Sequence, residues 1–193
     1  MKNDGWIACA ALLLAGGFQA IPLEAQERSS AQEIFDRMLA AYDPPLMQEA
    51  EARGLWDREQ LPVLREMNPW FLKGDFDGDG ALDVAFWVRD PETDQAGVAI
   101  VHATLDALRV FGAGQPAPPP SDSLPTELLA DTWHVRPAGD VEDHPFTDVP
   151  EIGVEYGVPF TFRRDTLEFV FLARSAFVFH WAEGRYWKVW TAD

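Results

Sequence analysis

An α+β fold in a single domain, mainly antiparallel β-sheet with an N-terminal helical segment, is what this sequence predicts. Three observations lead there. Residues before position 68 place apolar side chains at helix-face spacing between helix start and stop signals. Residues after it form short β-branched and aromatic runs separated by turn residues. At 193 residues and 47% hydrophobic, the chain has enough apolar surface for one sizeable core.

The helical segment spans 26–67. Ser30 and Glu33 form a capping box, in which hydroxyl and carboxylate satisfy reciprocal backbone donors. Ile34, Phe35, Met38, Leu39 and Tyr42 follow on one helix face. Pro44 and Pro45 end that helix and open a second through Leu46 to Arg53, with Gly54 placed to stop it in a left-handed conformation. A third short helix is expected from Asp57. The apolar stripe is read as packing against a sheet.

The β domain spans 68–193. Trp70 to Lys73, Ala81 to Val88, Gly97 to His102 and Leu108 to Phe111 read as strands joined by hairpins. Residues 115–125, rich in Pro and Ser, cannot feed a helix or a central strand and are expected to be a loop dividing two parts of one sheet. Leu167 to Leu172, Ala176 to Trp181 and Tyr186 to Trp190 form the last strands, with Ala182 to Arg185 as the turn between the final two. Phe177, Phe179 and Trp181 should share one face, and Val178 and His180 the other.

Charge narrows the function classes. A formal net charge of −17 repels phosphate backbones and anionic headgroups, so no nucleic-acid partner is expected and cations are the natural ligands. Residues 1–25 read as a secretory signal: Lys2, an apolar run from Trp6 to Phe18, and Ala25 before Gln26. The run is short for a bilayer, so no integral membrane span is expected once the signal is removed, and the location is secreted or periplasmic. Cys9 lies inside that run, which leaves the mature chain without thiol chemistry.

The residues with specific chemistry lie in the loop 75–83. Asp75, Asp77, Asp79 and Asp83 occupy positions 1, 3, 5 and 9, the Ala81 carbonyl is available at position 7, and Gly78 and Gly80 permit sharp bends. A hard cation such as Ca²⁺ takes six to eight oxygens, and alternate side chains of a tight turn deliver them to one centre. Two carboxylates about 5 Å apart repel by roughly 0.8 kcal/mol even in bulk water. Without an ion this loop is therefore expected to splay or to hold protons. A solvated acidic turn is the plainer alternative.

An EF-hand would need a Glu at position 12, where Phe86 stands, and helices on both sides. The loop instead resembles the calcium-binding β-hairpin loop of FG-GAP and VCBS-type repeats, Asp-x-Asp-x-Asp-Gly-x-x-Asp leading into a strand. Asp75, Asp77, Asp79, Gly80 and Asp83 match it. The resemblance implies ligation by the four Asp side chains and the Ala81 carbonyl. Phe111 to Gly114 echo the family's Phe-Gly segment more weakly. One copy is present, within 68–114, so the resemblance implies a single calcium-clasped β unit and not a propeller.

No catalytic motif accompanies the loop. His102, His134, His144 and His180 have no zinc-type spacing, and no phosphate loop or nucleophile elbow occurs. Glu142, Asp143, His144 and Asp148 make the best alternative cluster, and Arg163 and Arg164 are expected to pair with neighbouring carboxylates. The expectation is an exported, non-enzymatic calcium-binding protein with structural calcium and a protein or carbohydrate partner in the cell envelope. The alternatives are a hydrolase working through acidic residues, marked by a cleft carboxylate of raised pKa, and a binding module presenting aromatics from Trp133 or the last hairpin.

Overall fold

The computed structural model describes residues 38–39, 41–120, 128, 130–171 and 175–192. The expected export signal, Cys9 and the expected capping box with most of the expected first helix lie outside the described residues. Residues 43–193 form one compact unit. Its elements among the described residues are α1 (Pro45–Ala52), β1 (Phe71–Gly74), β2 (Asp83–Arg89), β3 (Ala96–Val101), β4 (Leu108–Gly112), β5 (Thr132–Arg136), β6 (Val141–Glu142), β7 (Phe160–Thr161), β8 (Thr166–Phe171), β9 (Ser175–Ala182) and β10 (Arg185–Ala192), with a 3₁₀ turn at Pro150–Ile152.

Two four-stranded antiparallel sheets result, in the orders β1-β2-β3-β4 and β10-β9-β8-β5, with β6 and β7 as a small separate ribbon. The sheets share one core: Ala85, Trp87, Val98 and Ile100 from the first meet Trp133, Phe169, Phe177 and Phe179 from the second. The rings pack at an angle to one another, with Trp87 and Trp133 5.2 Å apart and Phe111 and Phe179 likewise 5.2 Å apart. Each fully buried ring contributes about 1.5–3 kcal/mol by leaving water.

Both sheets are also covered on their outer faces. Val84, Phe86, Val88, Ala99 and Val101 pack under α1 and Trp56. Val178, Trp187 and Val189 pack under Val149, Val154 and Phe162. That explains why β2 and β3 are apolar at nearly every position instead of alternating. The face assignment for Phe177 and Phe179 against Val178 holds, but here both faces are interior.

The expected α+β class is corrected to a mainly antiparallel β fold, because α1 is the one whole helix among the described residues. Its bounds agree with the expected second helix, and Gly54 takes φ 71° after it. The third helix does not form. Asp57 caps a turn, accepting from the Glu59 N–H and the Gln60 amide. Beyond it the chain runs alongside β2, where Leu64 N–H donates to Trp87 O, Arg89 N–H to Pro62 O, and Val63 bridges Val88. Pro62 and Pro69 lack the donors a helix would need, whereas the end of β2 offers partners for an extended chain.

A second correction concerns the Pro-rich segment. It separates two sheets, not two parts of one. The final hairpin turns at Glu183 and Gly184, φ 53° and 77°, the two-residue turn whose twist matches its strands. No helix among the described residues is long and apolar enough to cross a membrane.

Candidate metal centre

The aspartate loop joins β1 to β2 at one end of the first sheet, and backbone N–H groups hold its carboxylates. Asp75 accepts from Gly78 at 2.9 Å and Gly80 at 3.1 Å. Asp77 accepts from the Asp79 N–H at 3.0 Å and Asp79 from the Ala81 N–H at 2.7 Å, two successive side-chain turns. Gly78 and Gly80, at φ 80° and 89°, make the bends that bring these donors inward.

Asp75, Asp77 and Asp79 each place one oxygen within 4.8 Å of the others. A carboxylate offers about four lone-pair sites, so each keeps acceptor capacity toward a shared centre after its backbone bonds are counted. Ala81 is half-buried and bonds the loop through its N–H. The donor set is hard oxygen throughout, which fits Ca²⁺ or Mg²⁺ and not a soft metal.

Asp83 is placed differently. It is fully buried, and its oxygens accept from the backbone N–H groups of Phe76 at 2.8 Å, Asp77 at 3.3 Å and Ala103 at 2.8 Å. It closes the base of the loop and belongs to a second cluster, with Asp77 and His102. Burial pushes its pKa up, the Ala103 N–H and His102 oppose that, and the Asp77 charge adds to the rise. A raised carboxylate pKa is the mark expected of the hydrolase alternative, but this carboxylate is sealed in and satisfied by three backbone donors.

His102 is the site residue that sequence reasoning missed. It is buried, with Nδ1 2.9 Å from Asp77 and Nε2 2.8 Å from the Tyr186 hydroxyl, and its ring lies edge-on to Trp181 at 4.7 Å. Burial, with the Asp83 charge next, holds the Tyr186 pKa well above its ordinary value, and the Asp77 carboxylate, which can only accept, places a hydrogen on Nδ1 of His102. Nδ1–H then donates to Asp77 and orients that carboxylate. Partners 25 and 84 residues away leave no spacing signal that would have found this chain of bonds.

The expected splaying of the loop is not seen. Seven backbone N–H groups and His102 offset the mutual repulsion of the four carboxylates. The loop is also tied to the second half of the unit. Asp165 accepts from the Asp75 N–H at 2.9 Å and the Ala138 N–H at 3.0 Å, and Arg164 donates to the Asp77 carbonyl.

Glu142, Asp143, His144 and Asp148 form no metal-type group among the described residues, although Glu142 accepts the His144 N–H at 3.2 Å. Glu142 pairs with Arg136 at 2.8 Å, and Asp148 accepts the Tyr156 N–H. His134 pairs with Glu168 at 2.7 Å. Trp133, Phe177 and Phe179 are buried, in line with a core face, and Trp181 and Trp190 of the last hairpin are half-buried. Arg163 and Arg164 have no ion-pair partner among the described residues, contrary to expectation. Comparison with family models, curated proteins and solved structures finds no match to this chain, so its relation to the FG-GAP and VCBS loop rests on residues 75–83.

Proposed function

We propose that this is an exported calcium-binding protein, non-enzymatic, in which one Ca²⁺ rigidifies the loop 75–83 for work outside the cytoplasm. The observation that carries the reading is the convergence of Asp75, Asp77 and Asp79 within 4.8 Å, on a turn whose N–H groups already hold the carboxylates in place. Asp83 and the Ala81 carbonyl complete the ligand set that the loop resemblance implies. The reading of 1–25 as an export signal supports that location, where calcium is abundant enough for a modest site to fill.

The ion's effect reaches beyond the loop. Asp165 and Arg164 connect the loop backbone to the segment before β8, so stiffening one turn restrains the junction of the two sheets. Binding to the folded state alone stabilises it by about 2.7 kcal/mol at one hundred times Kd.

The test is the thermal midpoint after chelation, titrated with Ca²⁺ and with Mg²⁺. We expect a saturable rise of roughly 5–10 °C with Ca²⁺ and little with Mg²⁺, which demands a tighter octahedral site. Asp79→Asn is the variant of choice, because an Asn oxygen still accepts the Ala81 N–H while the charge is lost. It should weaken the calcium-dependent rise, because one anionic ligand becomes neutral, without lowering the chelated midpoint. Asp77→Ala is less informative, since it also strips a buried histidine of its partner. No shift with either ion reduces the loop to a solvated acidic turn.

A further inference from the structure

A cavity of about 430 Å³ lies on the outer face of the second sheet, beneath the segment 149–164. That volume falls within the range of small-ligand pockets. Arg163 and Arg164 line it on one side and His180 of β9 on another. Neither guanidinium has a carboxylate within ion-pair distance among the described residues, in a chain carrying 32 acidic residues. Arg164 is fixed by its bond to the Asp77 carbonyl, and Arg163 is exposed.

His180 is 3% exposed, and its Nδ1 is buried without a partner. Phe160 and Phe162 hold the ring at 5.7 and 5.6 Å between centroids. Burial, with Arg164 and Arg163 beside it, pulls its pKa down to about 4, so it adds a neutral polar group and not a third charge. An unsatisfied buried nitrogen is uncommon and calls for a partner.

The remaining lining selects among anions. Phe160 gives it an aromatic wall, whereas the Trp181 indole packs toward His102 and Tyr186 on the other face of β9. Glu151 and Glu183, both exposed, also belong to the lining and repel a multiply charged guest such as phosphate. A guanidinium fork matches the two oxygens of a carboxylate.

We propose that this cavity binds a small organic carboxylate with a flat apolar body, Arg163 and Arg164 holding the carboxylate and Phe160 packing against the body. The site goes beyond the calcium reading, although Arg164 touches both through its bond to the Asp77 carbonyl. The experiment is calorimetric titration of the full chain, in calcium and in chelator, with 2-naphthoate, its neutral amide and inorganic phosphate.

One saturable site for 2-naphthoate in either buffer is expected, at least about tenfold tighter than the amide, as a charge-assisted contact requires. Phosphate should bind more weakly than 2-naphthoate. Arg163→Gln, at an exposed and unpaired position, should weaken 2-naphthoate by about tenfold without moving the thermal midpoint. The proposal is overturned if 2-naphthoate fails to bind in both buffers, if amide or phosphate binds as well, or if Arg163→Gln binds as the parent does. Because the comparison runs in chelator too, a failed calcium loop and a failed carboxylate site give separate results.

Discussion

Lys188 is a cation placed in the interior by its strand. It points to the side of β10 that carries Tyr186 and Trp190, is 1% exposed, and has no hydrogen-bond partner at Nζ among the described residues. The Phe177 and Trp190 rings lie 4.1 and 3.8 Å from Nζ and supply cation–π attraction in place of hydrogen bonds. Burial lowers its pKa from 10.5 to about 7. Between those values the unfolded chain holds a proton that the folded chain has released, so stability rises with pH across that window; below about 7 the charged form is carried at a cost. Lys188→Met should flatten this rise and lift the thermal midpoint at pH 6, read by thermal unfolding at several pH values. A parent-like slope in the variant would assign the rise to other groups.

Among the elements, β3 and β4 show how closely backbone approach sets a strand pair. Gly97 opposes Gly112, and a Cβ at Gly97 would lie 2.6 Å from both Ala113 N and Gly112 C. Those are backbone atoms, which cannot swing aside, so Gly97→Ala must spread the strands and is expected to cost about 1–3 kcal/mol. Chemical denaturation measures it, and an unchanged midpoint would mean that this end of the sheet adjusts freely. The helix is held by different means. Asp43, just before α1, has a fully buried carboxylate paired with Arg58 and Arg65, and Arg58 also reaches Glu51 within the helix. These pairs, with Met47 and Ala50 on the outer face of the first sheet, explain why so short a helix is kept.

For the whole unit, the shared core predicts cooperativity. Trp87 from the first sheet contacts both Trp133 and Phe169 from the second, and Trp133 Nε1 donates to the Pro69 carbonyl at 2.6 Å, so neither sheet keeps its inner face without the other. Phe179→Ala, in the centre of that layer, should destabilise the protein by about 3–5 kcal/mol. Far-ultraviolet circular dichroism and tryptophan fluorescence should report one coincident transition. Two separated transitions would show that the sheets fold apart.

The local signals in the sequence were strong where local chemistry decides. The last hairpin, the strands around the aspartate loop, α1 between Pro45 and Gly54, and the loop's inward-facing carboxylates all follow from turn residues, caps and periodicity. β5 was not legible, because Thr132 to Arg136 reads as a mixed polar segment until it pairs with β8. The missing third helix was decided by unpaired groups at the end of β2. The joining of Asp77 to His102 and Tyr186, the burial of Asp83 in a second cluster with Asp77 and His102, and the gathering of Arg163, Arg164 and His180 around one cavity depend on contacts between residues distant in sequence. By itself the sequence determined the antiparallel β character, the acidic loop and the expectation of export. Only the tertiary structure decided that two sheets share a core, which carboxylates converge and which cations stay unpaired, because burial and long-range pairing are properties of the packed chain.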